Sequence, residues 1–489
     1  MKTLKILTFV VFASILTVGC KKYLETDPLY SQDAENYFTE EEHYHTALVG
    51  AYDLLQGSFI NIWIGEIASD NSIAGGESVV DSKGLHDIDE MNHGGVNIEL
   101  RNVLRWNYAG VTRANYIMEN KDNVSFSGKT QLLAEVRFLR AYYYFQLVKY
   151  FGDIPLIVDE RLGIDELKEK ERTPKSEVYA QIESDLSFAS ENLPAIATIK
   201  GKATSGAAKS LLGRVYLYQR KFSECASVLD EVINSGQYDL AADYTTLFAE
   251  NSEGNSETVF DVQYSGLEGG SYGCLICLEG NAAPGFQGIR QYTGPIYGDG
   301  NSYNLPTKDL YQAFDVNDQV RRDASVLDIE AFIALQSETD ITYAIGGGGH
   351  TGYYNNKYIK RIGEFGLPDN DLTSPVNYRV IRFADVLLMA AEAYSEIGNS
   401  GRSLEYVNKV RSRAGAPALS SSGEELLSDI YQERRLELCG EGFRFFDLVR
   451  TGEAENKIEG FISGKHDLFP IPQVEIALAG SKWSQNTGY

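Results

Sequence analysis

The sequence predicts a mainly α-helical protein of tetratricopeptide-like helix pairs carrying a large irregular, loop-rich region. Three observations predict it: helical stripes of apolar side chains, two copies of a degenerate repeat, and a long Gly-, Asn-, Ser- and Tyr-rich stretch between those copies. The stripes show in "RFLRAYYYFQLVKYFGDIPL", Arg137 to Leu156. Val136, Leu139, Tyr143, Leu147 and Tyr150 recur at three- and four-residue spacing, as do Phe138, Ala141, Phe145 and Val148. The two sets are offset by about 200° on a helix of 3.6 residues per turn. A helix apolar on opposite sides lies buried between neighbours, so these rings read as core rather than as a ligand platform. Gly152 and Pro155 end the helix.

The repeats come next. In "SLLGRVYLYQRKFSECASVLDEVI", from Ser210, Leu212, Gly213 and Tyr216 fit the L-G-x-x-Y part of a tetratricopeptide repeat. Cys225 stands where a small residue is expected, and Leu229 replaces a Phe. "MAAEAYSEIGNSGRSLEYVNKVRSRAG", from Met389, gives a second copy through Ala391, Tyr394, Gly398 and Ser403. A looser third copy falls at Ala141 and Tyr144. An irregular bundle would show the same periodicity. The expected organisation is a helical scaffold over about 30–250 and 377–452, with the loop-rich, ligand-facing region at about 251–376. "PGFQGIRQYTGPIYGDGNSYN" and "YAIGGGGHTGYYNNKY" lie in that region, and "SDNSIAGGESVVDSKG" is a shorter segment of the same texture after Ser69. Long loops on a packed scaffold commonly carry function.

The first residues stand apart. Lys2 and Lys5 precede the apolar run "ILTFVVFASILTV", which is too short to span a bilayer as a mature helix. It ends in "LTVGC". Residues 1–19 read as a lipoprotein signal peptide, with Cys20 as the acylated N-terminus of a single mature domain, 20–489. Ordinary cleavage nearby would leave Cys20 a free thiol.

Function classes are narrowed by charge and by motifs that fail. The chain carries 44 basic and 69 acidic side chains, a formal charge of −25, which repels phosphate backbones and argues against a nucleic-acid partner. "NVSFSGKT" has Asn123 where a phosphate loop needs its first Gly, and reads as a loop before a helix starting near Lys129. "GGGGH" at Gly346 reads as a flexible turn. There is no G-x-S-x-G and no H-E-x-x-H. His43 and His45 would point apart on a helix. His86, Glu90 and His93 would share a helical face but lack a fourth ligand for structural zinc, so no metal and no cofactor is expected. Cys274 and Cys277 form a lone C-x-x-C, a small-loop disulfide or two free thiols. "YQERRLELCGEGFRFFDLVRTG" packs Glu433, Arg434, Arg435, Glu437, Arg444, Asp447 and Arg450 among apolar residues. Paired carboxylates suggest acid–base chemistry, but arginines beside them favour a partly buried ion network.

With these motifs the chain resembles the SusD/RagB family of outer-membrane nutrient-binding lipoproteins. The resemblance runs through "GCKKYLETDP", "GEIASDNSIAGGES", "WNYAGVTRANYIMEN", "RFLRAYYYFQLVKYFGDIPL", "YRVIRFADVLLMAAEAY", "ERRLELCGEGFRFFDLVRTG" and "LFPIPQVEIALAGSKWSQNTGY". Thr487 departs from the Pro usual in the terminal motif. The resemblance implies tetratricopeptide-like helix pairs with a large irregular region, an outer-membrane, surface-exposed, lipid-anchored location, and a TonB-dependent SusC-type β-barrel transporter as partner. It implies capture of a glycan without chemistry on it. The alternatives are capture of an oligopeptide, or an envelope glycoside hydrolase working through carboxylates. Sugar faces stack on aromatic rings while hydroxyls bond to Asn, Asp and Arg. The expected ligand-binding residues are therefore Tyr292, Tyr297, Tyr303, Tyr353 and Tyr354, whose spacing is not helical, with Asp70, Asn71 and Trp106 completing the cleft. For any one tyrosine, pinning its loop to the scaffold is as good a reading as ligand contact.

Overall fold

The computed structural model describes residues 37–489 except 268–271, 273, 275–278, 338–339, 365–370 and 481. The signal segment, Cys20 and Cys277 fall outside the described residues. The longer helices are α1 Glu41–Asp53, α2 Ile60–Ile67, α3 Ile98–Glu119, α4 Lys129–Phe151, α5 Lys175–Asn192, α6 Ser205–Tyr218, α7 Phe222–Ile233, α8 Phe383–Glu396, α9 Ser400–Ala414, α10 Gly423–Leu438 and α11 Arg444–Thr451. The strands are short: β1 Ser72–Ala74, β2 Thr258–Val262, β3 Ile289–Arg290, β4 Asp299–Gly300, β5 Asn304–Pro306, β6 Val326–Asp328, β7 Tyr353–Asn355 and β8 Tyr378–Arg382.

Helix α4 occupies the middle of the scaffold, as its two apolar stripes require. It follows Gly128 and ends at Gly152, whose φ of 71° a residue with a side chain rarely adopts. On one side the Tyr143 ring lies against Gly110 of α3 and its hydroxyl donates to Ala51 O of α1 at 2.6 Å. On the other, Phe145 meets Tyr218 of α6 edge-on, with centroids 5.1 Å apart. Both rings are fully buried. Each helix from α4 to α7 packs on the one before it. The two repeats behave as close-packed pairs: a Cβ on Gly213 of α6 would collide with Leu229 of α7, and Ser403 Oγ of α9 reaches Ala391 O of α8 at 2.7 Å.

The next helix in the row after α7 is α8, although residues 234–382 separate them in sequence. The loop-rich region is thus an insertion between successive layers of one helical row. Its neck is closed by β2 and β8, paired antiparallel. Inside it, β6–β7 is an antiparallel pair and β3–β4 a parallel pair, while β5 pairs antiparallel with β1 from the segment after α2. The insertion also has its own small core of Ile289, Tyr292, Tyr297, Leu305, Leu327, Ile329, Tyr354 and Ile359.

The ion network expected around α10 is present and is buried almost throughout rather than partly. Five carboxylates (Glu257, Asp318, Glu433, Glu437, Glu441) alternate with five cations (Arg321, Lys357, Arg382, Arg411, Arg413). Arg382, at the end of β8, contacts Glu257, Glu437 and Glu441, and Arg321 reaches Glu433 at 2.6 Å and Glu437 at 2.8 Å. Burial opposes the Glu437 charge, yet Arg413, Arg382 and Arg321 together hold its carboxyl well below the usual carboxylate range. The network ties the neck and the insertion to α9 and α10. Among the described residues no helix is long and apolar enough to cross a membrane.

Candidate functional site

Most of the residues expected to meet a ligand are committed elsewhere. Asn71 is fully buried, with its amide to Glu66 at 3.2 Å and Arg435 donating to it at 2.9 Å. Asp70 takes two bonds from Arg444, at 2.7 and 2.8 Å. Burial resists its charge, but Arg444 and Arg435 hold its carboxyl below the usual value. Both are held by arginines of α10 and α11. Tyr292, Tyr297 and Tyr354 are core residues of the insertion, not surface rings. Irregular spacing misleads here because a satellite core assembled by tertiary contact needs no periodicity along the chain. Tyr353 is half-buried and stacked on Tyr311, with centroids 4.7 Å apart. His86 and His93 do not converge: His86 Nε2 bonds Gly75 O, His93 Nε2 bonds Tyr489 Oη, and the helix carrying His86 ends at Asp89. Cys274 is disulfide-bonded.

Tyr303 is half-buried, packed at the edge of the main core, and its surroundings join the insertion to the segment after Ser69. The two glycine runs meet there. Gly75 N–H and Gly76 N–H donate to Tyr303 O and Ser302 O at 3.1 and 2.9 Å, while Gly347 N–H donates to Glu77 O at 2.7 Å. A Cβ on Gly346 or Gly348 would collide with the backbone of Gly75 and Gly76. The run at Gly346 is therefore a close backbone contact, not the flexible turn its composition suggests. Gly76 itself has φ +97°. His86 Nε2 and Ser82 Oγ both bond Gly75 O from beneath, at 2.8 and 3.2 Å.

The rings form a ladder through the molecule. Trp106 packs on Gly57 and tilts against Phe59; Phe59 meets Trp63, Trp63 meets Phe286, and Phe286 stacks on Tyr303 with centroids 5.5 Å apart. Trp106 and Tyr303, both expected at the site, stand at opposite ends of this ladder rather than side by side. Tyr272, not anticipated, completes the surface: its ring is 57% exposed, sits 6.1 Å from Phe286, and its hydroxyl reaches Asp371 at 3.3 Å. No periodic signal marks it within "YSGLEGGSYG".

Charged groups flank the rings. Arg290 pairs with the exposed Glu77 at 3.1 Å, and Asp81 accepts from Glu77 N–H at 3.1 Å. Burial and the neighbouring Asp81 carboxylate push the Tyr303 phenol up to about 12, so it stays a neutral donor. Below, Asp89 Oδ2 accepts the Ala74 N–H at 2.9 Å, and burial raises its carboxyl to about 7. The surface thus offers two ring faces with a guanidinium, carboxylates and a phenol around them. That chemistry suits a hydroxyl-rich ligand with apolar faces. The larger cavities, of about 890, 740 and 560 Å³, lie in the helical scaffold and around its junction with the neck. An open platform of rings encloses no such volume.

The fold is a helical-repeat scaffold carrying a loop-built insertion. Residues 335–489 match the model described as the SusD family, and residues 22–217 match the one described as starch-binding associating with outer membrane. A solved laminarin binding SusD-like protein is 33% identical, with TM-score 0.85 over 92% of this chain and 100% of its own. Surface glycan-binding protein A from Bacteroides thetaiotaomicron in complex with laminarihexaose is 25% identical, with TM-score 0.81 over 91% and 99%. SusD-like protein P2 of Formosa agariphila is 28% identical over the whole of both chains. The chain belongs to the SusD family.

Proposed function

We propose that this chain captures a glycan at the cell surface, without cleaving it, and delivers it to a TonB-dependent SusC-type transporter. The observation that carries the reading is the exposed Tyr272 beside the half-buried Tyr303, backed by Phe286 and edged by Arg290, Glu77 and Asp81. Backbone contact between the two glycine runs fixes the segment beside Tyr303 before any ligand arrives, and preorganisation lowers the cost of binding. The relatives named for laminarin and laminarihexaose make laminarin oligosaccharides the first ligands to try. Acylated Cys20 anchors the protein in the outer membrane. Outer-membrane association is what one matching family model describes.

Calorimetry with laminarin oligosaccharides, starch oligosaccharides and mixed peptides tests the reading, with chromatography of the recovered ligand. Saturable binding of an uncleaved saccharide supports it. Binding of peptides alone, or shortened saccharide products, would replace it. Mass spectrometry of the mature protein tests the anchor: an acylated Cys20 is expected, and an unmodified thiol there removes it.

A further inference from the structure

The 890 Å³ cavity sits against the C-terminal end of α4, between α6, α11 and the last residues of the chain. It is rich in cations on a chain whose net charge is −25. Lys149, Arg172, Lys175, Arg220, Arg450 and Lys465 line it, against two carboxylates, Asp153 and Asp467. Arg450 is neutralised by Glu392 and Asp447, and Arg220 has Glu396 at 3.6 Å. The other four cations have no carboxylate within ion-pair distance among the described residues. Arg172 bonds only neutral acceptors: the carbonyls of Phe151, Asp153 and Ser484, and Asn486 Oδ1. Lys149 Nζ lies 4.0 Å over the Phe446 ring and Lys465 Nζ 5.0 Å over that of Tyr489, each against a π face instead of an anion. The two carboxylates already accept backbone N–H groups, Asp153 from Lys175 and Asp467 from Gly464, each at 2.8 Å.

A partly buried ammonium with no carboxylate in ion-pair distance is costly to hold. Burial and the nearby Arg214 push Lys149 well below its ordinary pKa. A bound oxyanion would relieve that cost and add charge-assisted bonds. Around the cations, Tyr179 and Tyr218 supply rings and Ser176, Ser484 and Gln485 supply donors and acceptors for hydroxyl groups. We propose that this cavity is a second ligand site, separate from the Tyr303 surface, that takes an acidic oligosaccharide with its carboxylate or sulfate group between Lys149, Arg172 and Lys465. The proposal does not depend on what binds at Tyr303.

The test is calorimetry on the purified protein with trigalacturonate, a sulfated carrageenan-derived tetrasaccharide, and laminaritetraose as the neutral control, at low and high salt. At least one acidic probe should bind, more weakly at high salt. Lys149→Met and Lys465→Gln should each weaken that binding about tenfold or more, the loss of one charge-assisted contact. Tyr303→Ala should leave it unchanged. Binding of trigalacturonate alone assigns the group as a carboxylate; binding of the sulfated probe alone assigns it as a sulfate. Lys465→Gln, at the cavity rim, guards against a folding defect in Lys149→Met. Failure of both acidic probes to bind, equal binding of laminaritetraose to this site, or wild-type affinity in both lysine variants would overturn the proposal.

Discussion

In the helical scaffold, order comes from long apolar faces. Helix α4 lies between Ala51 and Gly110 on one side and Tyr218 on the other, and its rings are sealed from water. In the insertion, order comes from glycine backbones in contact and from a small tyrosine core, with Gly346 and Gly348 against Gly75 and Gly76. Between the two lies the ion network, whose charges cross from β8 and the insertion to α9 and α10. The difference teaches that the scaffold is held by periodic packing, whereas the surface at Tyr303 is held by contacts between segments far apart in the chain. A surface built in the second way can change its side chains while the scaffold stays as it is.

The largest expected effect falls on the joint between the regions. Glu437→Ala leaves Arg321, Arg382 and Arg413 facing one another in a buried site, and should destabilise by about 3–5 kcal/mol in denaturant unfolding. A shift under about 1 kcal/mol would mean that the network contributes little to holding the insertion on the scaffold. Phe145→Ala should cost a similar 3–5 kcal/mol, because its cavity opens in the middle of the scaffold. Tyr354→Ala should cost less, about 2–4 kcal/mol, and should raise hydrogen exchange in residues 289–305 and 353–359 while leaving α4 protected. Equal loss of protection in α4 would erase the distinction between the two regions.

The scaffold was the legible part of the sequence. The stripes of α4 and the L-G-x-x-Y match at Leu212 are periodic, and periodicity survives in a single chain. The acidic and basic residues of "ERRLELCGEGFRFF" were legible as ion pairs, but Arg321, Lys357 and Glu257 reach them from distant segments and carry no local signal. Within the insertion, tyrosine spacing distinguished helix from loop but not buried from exposed. Tyr292 and Tyr354 are buried by strands and turns that form only through non-local pairing, such as Leu327 with Tyr354. Tyr303 was anticipated and Tyr272 was not. Nothing near Tyr272 in sequence shows that Phe286 stands behind it.

A smaller effect separates the regions by pH. Glu437 is depressed on folding, so its contribution is present above its ordinary 4.5 and is lost as pH falls below that value. Asp89, beneath the glycine junction, goes the other way. Its carboxyl rises from 3.8 to about 7, so its contribution is full below about pH 4 and is lost as pH rises toward 7. Asp89→Asn should therefore match wild type near pH 4 and exceed its stability at pH 8 by on the order of 1 kcal/mol or more. Equal stability at both pH values would contradict the burial assigned to that carboxyl.

The smallest effect bears on the central proposal, that Tyr272 and the half-buried Tyr303 bind the glycan while the fully buried rings of the insertion only hold it together. The direct measurement is calorimetry with laminarin oligosaccharides on Tyr303→Ala and Tyr272→Ala beside wild type, with an unfolding curve for each. The account predicts a loss on the order of 1 kcal/mol in binding for each ring, roughly fivefold in Kd, with unfolding midpoints close to wild type. Wild-type affinity in both folded variants would contradict it and move the site away from this junction.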